Sequence, residues 1–310
     1  MSVGFATSLL RCPRCRGSLS SDAGLECGAC QGTYQVVDGI PILVPDLAMI
    51  EHDEVGHHRS HKAEQAGHFD QELAEEFEIT RPHGTPRLYE FLIREKLRRA
   101  LGPIGPGLVG ATALTVCGGS GMDAEFLAEA GCRVISSDIS LGAARRTQER
   151  VRRYGVDITA IVADVEHLPF ADEAFDLVLV HDGLHHLEHP EAGLVEIARV
   201  AHRWVSISEP ARAAATAVAV RTGMALEREE AGNFVARMMP GEVLAYLSTV
   251  GFRPLRAERY AMYYRHEPGV VFRILSQRLV FPFVRWGWRL GNTVLGRVGN
   301  KMVLVAERNR

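Results

Sequence analysis

Two carboxylates, Asp138 and Asp164, each close an apolar run, and a glycine-rich turn, Cys117-Gly118-Gly119-Ser120-Gly121, precedes the first of them. Glycines at such a turn leave no Cβ between backbone and ligand, and a helix opening just after it offers unpaired N–H groups. A carboxylate at a strand end about 17 residues past the turn can accept two hydrogen bonds from ribose hydroxyls, as in a nucleotide-binding crevice. Three histidines, His181, His185 and His186, follow a further apolar run. Imidazole titrates where proton transfer near neutral pH is useful, so His185 and His186 are candidate general bases. Asp182 and Glu209 are further carboxylates at the same crevice mouth. The turn alone is ambiguous, because Gly119-Ser-Gly121-Met-Asp-Ala124 also fits the dinucleotide pattern G-x-G-x-x-A.

A second group of chemical residues lies near the start: Cys12-Pro-Arg-Cys15 and Cys27-Gly-Ala-Cys30, each followed by x-Gly. A C-x-x-C turn places two thiolates on one metal, and the small residue after it lets backbone amides point at sulfur. Two such knuckles make a closed tetrahedral site, so Cys12, Cys15, Cys27 and Cys30 are expected to hold a structural zinc ion with no open position for chemistry. Disulfides or free thiols are the competing readings. The first residues lack the basic n-region and cleavage site of a secretory signal, which argues against disulfides and makes the cytoplasm the expected location.

These residues need elements to position them. Ala113 to Val116 reads as a buried parallel strand, Asp123 to Ala130 as a helix closed by Gly131, and Arg133 to Ser136 as a strand ending on Asp138. A helix from Leu141 to Arg153 follows, then a strand from Ile158 to Ala163 ending on Asp164. Phe175 to Val180 is a fourth strand, Glu191 to Val200 a helix, and Trp204 to Ile207 a strand ending at Glu209-Pro210. Helix Glu242 to Val250 and strands near Leu255 to Tyr260 and Met302 to Glu307 complete the sheet.

The segment VEHLPFADEAFDLVLVHDGLHHLEHP, with the turn and the two strand-end acids, resembles the class I S-adenosylmethionine-dependent methyltransferases over about Thr112 to Val305. The likeness is to the branch containing the ubiquinone and menaquinone methyltransferases. It implies an α/β, doubly wound, Rossmann-like sheet, mostly parallel with its last strand antiparallel. It also implies S-adenosylmethionine held by Cys117, Gly118, Gly119, Gly121, Asp138, Ile139, Asp164, Val165 and His181. Asp138 would contact the ribose and Asp164 the adenine amino group, with Val165 beside the ring. The chain departs from the family at Thr115, where an acid is expected, and at Cys117, which replaces the first glycine. Asp123 or a lid residue is the expected substitute for the acid. Cys12 to Pro45 resembles both the zinc-binding activator of several RNA and protein methyltransferases and the zinc head of bacterial ribosomal RNA guanine methyltransferases.

The expected organisation is a zinc ribbon over 1–46, a linker with lid helices over 47–104, and a methyltransferase domain over 105–310 with an insertion at about 265–299. At 310 residues and 46% hydrophobic the chain has material for such a core. A net charge of −3 implies no whole-protein attraction to nucleic acid. The linker carries His52, His57, His58, His61 and His68 at spacings that repeat no ligand pattern. Arg81, His83 and Tyr89 are candidates for substrate or cofactor contact, with packing and capping the competing reading. Glu229, Asn233 and Arg237, four apart, are substrate candidates.

Near the C-terminus, Phe272, Phe281, Phe283, Trp286 and Trp288 alternate with Arg273, Arg278, Arg285 and Arg289. This stretch, about 270–298, suits peripheral membrane contact, a lipid-like substrate, or a lid or homodimer surface, with RNA the weaker expectation. The function expected is methyl transfer to a small-molecule or lipid-like acceptor. An RNA methyltransferase and a non-catalytic binding protein on the same fold are the alternatives.

Overall fold

The computed structural model describes residues 8–20, 25–51, 60–71, 75–213, 216, 237–264 and 268–309. Twelve strands are numbered here in chain order. Five short ones come first: β1 (Leu19–Ser20), β2 (Leu25–Cys27), β3 (Thr33–Tyr34), β4 (Val36–Val37) and β5 (Ile40–Leu43). The rest of the chain supplies β6 (Thr112–Val116), β7 (Arg133–Asp138), β8 (Ile158–Ala163), β9 (Phe175–His181), β10 (Ala201–Pro210), β11 (Phe252–Tyr260) and β12 (Lys301–Arg308). Nine of them form one sheet in the order β11-β12-β10-β9-β6-β7-β8-β5-β4. Pairing is parallel from β5 through β10, whereas β12 runs antiparallel to both β10 and β11.

The helices are α1 (His61–Asp70), α2 (Glu75–Thr80), α3 (Arg87–Leu101), α4 (Met122–Glu129), α5 (Leu141–Tyr154), α6 (Pro190–Val200), α7 (Pro240–Thr249), α8 (Val270–Leu275) and α9 (Phe281–Leu295). Covering both faces of the sheet makes its central strands continuously apolar. Leu177 and Leu179 enter the core under α3, while Val178 and Val180 enter the core on the opposite face. From β6 the chain steps outward to β7 and β8, then crosses back to β9 on the other side. The crevice at this reversal, outside the carboxyl ends of the strands, is where doubly wound sheets bind ligands.

The cysteine module is not an independent bead. β5 extends the main sheet, with Ile42 opposite Val162 and Leu43 opposite Ala163. Leu10, Cys12, Leu25, Cys27 and Tyr34 share one core with Val116, Phe170 and Phe175. Arg11 N–H donates to Pro169 O at 2.8 Å, and Arg16 pairs with Glu196 at 3.0 Å. The acidic, histidine-rich stretch was read as linker or lid; its end, His61–Asp70, is helical and lies against the crevice. Ser60 caps this helix through Ala63 N–H.

Candidate active site

A cavity of about 430 Å³ opens at the crevice, within the range usual for small-molecule and cofactor sites. Of the sequence-derived cofactor candidates, Cys117, Gly118, Gly119, Asp138, Ile139, Asp164, Val165 and His181 line it, as do His185 and His186. Gly121 does not. It begins α4 with φ +76, and a Cβ there would meet Thr147 at 2.8 Å, so its requirement is helix packing rather than ligand approach. Gly118 is equally confined, with Ser136 Oγ 2.4 Å from a would-be Cβ. Gly119 is the open one, with φ +52 and no atom within 4 Å of that position. A ligand can therefore reach its backbone.

Asp138 is fixed by the turn it serves. Its Oδ2 accepts Gly119 N–H at 2.8 Å and its Oδ1 accepts Ser140 N–H at 3.0 Å. Burial pushes its carboxyl up from the usual range, against the pull of those two amides. Asp164 is more heavily engaged. It accepts Glu166 N–H at 3.0 Å, Lys62 Nζ at 2.6 Å and His167 Nδ1 at 2.9 Å. Lys62 also bridges to Glu166 at 2.8 Å, so α1 is pinned across this end of the cavity.

Cys117 keeps the backbone conformation of the glycine it replaces, with φ +52, a region that costs a non-glycine residue roughly 1–2 kcal/mol. Gly183 makes room for it, since a Cβ there would come within 2.4 Å of Cys117 Cβ. Burial, and then the nearby carboxylates of Asp138 and Glu209, push the thiol well above its ordinary value. Cys117 is thus expected to stay a thiol and to react with iodoacetamide far more slowly than an unhindered cysteine, a rate readable by mass spectrometry of the alkylated peptide.

Thr115, at the position where an acid was expected, is buried beneath the turn and donates to Ser136 Oγ at 3.1 Å. The cavity-facing carboxylate here is Asp123, whose oxygens lie 2.9 and 2.8 Å from His181 Nδ1. His181 Nε2, also buried, has no hydrogen-bond partner among the described residues, its neighbouring carboxylate oxygen Asp182 Oδ2 lying 3.9 Å away. An orphaned ring nitrogen, an open Gly119 and a strand-end carboxylate on one cavity fit a polar nucleoside-bearing ligand.

The histidine loop forms the opposite wall. His185 is buried, and its Nδ1 lies 2.7 Å from Glu209 Oε2. Glu209 Oε1 accepts the amides of Gly183 at 2.9 Å and Leu184 at 2.8 Å, so one fully buried carboxylate shapes the loop and orients the ring. Burial opposes ionisation of Glu209, but the charge and hydrogen bond of His185 outweigh it and hold the carboxyl below its usual range. His186 packs edge-on against Phe69 of α1 at 5.5 Å, and its carbonyl meets His61 Nε2 at 2.8 Å. Of the two histidines, His185 is oriented by a buried carboxylate and His186 packs against α1.

Sequence reasoning named Asp182 but missed its partners. Lys96 Nζ, Lys301 Nζ at 2.8 Å and Tyr264 OH at 3.0 Å all donate to its carboxylate. Lys96 is fully buried on the apolar face of α3 that also holds Leu92, Ile93 and Leu97. A lysine on such a stripe is a signal that was present and went unread. Burial opposes ionisation of Asp182, yet Lys301 and Lys96 hold its carboxyl well below the usual range. Its folded value lies below the unfolded one, so this stabilisation is full above the ordinary carboxyl range and lost as pH falls through the depressed value. Asp182→Asn is expected to cost about 3–5 kcal/mol at neutral pH by stranding a buried ammonium, checked by denaturant unfolding.

Other candidates separate clearly. Arg81 lines the cavity and pairs with Glu78, whereas His83 pairs with Glu125 and Tyr89 is buried in the α3 core. Arg237 lies away from the cavity lining. His52, His57, His58, Glu229 and Asn233 lie outside the described residues.

In the ribbon the four sulfurs lie within 4.8 Å of one another, with Cys12–Cys30 and Cys15–Cys27 both at 3.5 Å. Those separations exclude disulfides and match the roughly 3.8 Å edge of a tetrahedron with metal–sulfur bonds near 2.3 Å. Gly17 and Gly32 sit against sulfur, 3.0 Å from Cys27 Sγ and 3.4 Å from Cys30 Sγ for a would-be Cβ. The left-handed residues of the two knuckles are Arg16 and Gln31, each at φ 60.

The sheet order, the switch-point cavity and its paired strand-end acids resemble those of class I S-adenosylmethionine-dependent methyltransferase domains, and residues 114–203 match the family described as methyltransferase domain. Demethylmenaquinone methyltransferases are among the relatives: the one from Corynebacterium urealyticum is 39% identical over 109 residues, and the one from Thermobifida fusca 37% over 94. Those stretches cover 35% and 29% of this chain and 43% and 39% of the relatives, so the chain spans less than half the length of the curated relatives it matches.

Among solved structures, a magnesium protoporphyrin IX methyltransferase from Synechocystis aligns with a TM-score of 0.55 at 18% identity, over 80% of this chain and 100% of that one. A [4+2]-cyclase aligns equally well, TM-score 0.55 at 17% identity, over 79% and 96%. One architecture thus serves different reactions, and the reaction here must be argued from the site.

Proposed function

We propose that this chain transfers the methyl group of S-adenosylmethionine to a quinol-like acceptor, an aromatic ring bearing acidic hydroxyls. The observation that carries the reading is one cavity lined both by the Gly119 turn with Asp138 and by a histidine oriented through a buried carboxylate. Gly119, Asp138, Asp164, Val165 and His181 would hold the cofactor, whose chemistry when bound is a methyl group already activated on a sulfonium. The protein's own work is then placement and exclusion of water, which the cover of α1 supplies. His185, whose Nδ1 is held by Glu209, would act as the base that takes a hydroxyl proton from the acceptor. The ammonium groups near Asp182 favour the resulting oxyanion, and Tyr264, whose phenol is pushed well above its usual value by burial and by Asp182, stays a donor.

The acceptor class is supported by the apolar lining residues Ile93, Leu187 and Met262 and by the naming of the relatives as demethylmenaquinone methyltransferases. We also infer that Cys12, Cys15, Cys27 and Cys30 hold a structural zinc ion, supported by the sulfur geometry.

Labelled methyl transfer from cofactor to a panel of reduced naphthoquinones, beside a phenol-free lipid fraction, tests the reading. Label in the quinols alone is expected. Label only in RNA, or cofactor binding with no label anywhere, would replace it with one of the alternatives. Asp138→Ala is expected to weaken cofactor binding at least tenfold by calorimetry, since it removes both the ribose acceptor and the clamp on Gly119. An affinity unchanged within twofold would place the nucleoside elsewhere.

A further inference from the structure

A surface helix ordinarily turns its polar side outward. α9 does the reverse. Its inner side, Phe281, Val284 and Trp288, packs on the α3 core, with the Phe91 ring edge-on to Phe281 at 5.9 Å and to Trp288 at 5.4 Å. Its outer side carries Phe283, Trp286, Leu290 and Val294, continued backward by Leu279, exposed by 75, 67, 47, 70 and 84% respectively. At 3.6 residues per turn the four helical ones, Phe283, Trp286, Leu290 and Val294, fall within about 80° of one another, and Leu279 lies in the turn just before α9. Arg285 and Arg289 lie about 120° round from the middle of that stripe, Arg289 paired with Glu95 at 2.6 Å, and Arg278 lies in the turn before the helix. Pro282 sits in the first turn of α9, where its missing N–H forfeits no helical hydrogen bond.

Charge and position give this face an occupant. No Asp or Glu occurs between Pro268 and Ala306, while Arg273, Arg278, Arg285, Arg289, Arg297 and Lys301 do. α8 adds Val270, Val271 and Ile274, all exposed. An apolar line flanked only by cations complements an anionic lipid surface, whose headgroups meet arginine while its acyl boundary takes Trp, Phe and Leu. No helix among the described residues is long and apolar enough to cross a membrane, so the contact would be peripheral. The surface also adjoins the cavity. Asn292 of α9 clamps Ala261, accepting its N–H at 2.8 Å and donating to its carbonyl at 3.1 Å. The next three residues, Met262, Tyr263 and Tyr264, line the cavity, and Tyr263 is exposed.

We propose that α8 and α9 form a docking surface for an anionic phospholipid bilayer, with the outer stripe of α9 seated at the acyl–headgroup boundary beside the cavity mouth. The inference stands apart from the acceptor's identity. The test is co-sedimentation of the full chain with phosphatidylglycerol-containing vesicles and with pure phosphatidylcholine vesicles. Tryptophan emission is followed in parallel, since Trp286 is far more exposed than the buried Trp204 or the packed Trp288.

Binding is expected to the anionic vesicles, weakened by salt, with a blue-shifted emission that Trp286→Phe removes while binding persists. Phe283→Glu with Trp286→Glu should weaken vesicle binding at least tenfold while thermal unfolding and cofactor affinity stay unchanged, which separates lost docking from lost folding. Vesicle binding that the double variant retains overturns the proposal, as does no binding to either vesicle. A dimer that the double variant splits into monomers, with no vesicle binding, gives the surface to a second copy. Salt-sensitive capture of RNA in place of vesicles gives it to nucleic acid.

Discussion

His185→Ala is expected to lower the rate of methyl transfer by about 10²–10⁴-fold while cofactor affinity stays within a few fold. The expectation follows from the buried pair. Glu209 cannot move without releasing the amides of Gly183 and Leu184, so the imidazole is fixed in tautomer and direction. Glu209→Gln separates orientation from bulk. The amide can still accept from the loop through its oxygen, but its NH₂ group faces Nδ1 and favours the tautomer with the proton on Nε2. The rate should fall nearly as far as in His185→Ala, with the fold intact. Steady-state kinetics beside calorimetry decides it. A His185→Ala rate within threefold of wild type removes the base from the mechanism and leaves placement alone.

Stripping the ribbon of metal should have the larger effect on folding. Apparent zinc binding energies of about 10–16 kcal/mol for tetracysteine and related sites rival the whole stability of an ordinary domain. Here the ribbon shares its core with Phe170 and Phe175, and β5 is bonded to β8, whose end carries Asp164. Loss of the ion is therefore expected to reach the cofactor cleft as well as the ribbon. Cys12→Ser should abolish bound zinc, lower the unfolding midpoint by well over 10 °C on this scale, and weaken cofactor binding. Cys132→Ser is the control, because Cys132 is buried under Leu108 far from the four ligands in the chain and donates only to that carbonyl at 3.2 Å. Metal content by elemental analysis and unfolding with and without chelator provide the readouts. A zinc-free Cys12→Ser protein that keeps the wild-type midpoint would make the cysteine cluster a surface ornament.

The local signals in this chain were strong wherever one residue type has one physical use. Apolar runs closed by Asp138 and Asp164 suit buried parallel strands, and β7 and β8 lie where those runs were. The C-x-x-C pairs announced a metal site because few other purposes need two thiols at that spacing twice. Even the two departures, Thr115 and Cys117, were visible as letters. Their consequence was not: Thr115 turned inward under the turn, Cys117 took the left-handed backbone at the expense of a side chain on Gly183, and Asp123 reached the cavity from α4 with His181. Spacing along a chain carries no information about which distant groups meet.

The same reason explains the rest. Residues 86 apart in sequence made the Lys96–Asp182 pair, and 24 apart the His185–Glu209 pair. Each partner alone reads as a helix lysine or a loop acid, and only burial at a shared point turns them into an ion pair beside the cavity and a carboxylate-bound histidine within it. β5 joined the catalytic sheet because β8 had an unpaired edge that β5 could satisfy, a matter of backbone hydrogen bonds that side-chain patterns do not encode. The outer face of α9 is the plainest case. Its aromatic and arginine content stands in the sequence, but which side of the helix the core would claim, and so which side was left apolar toward solvent, depended on where α3 came to lie.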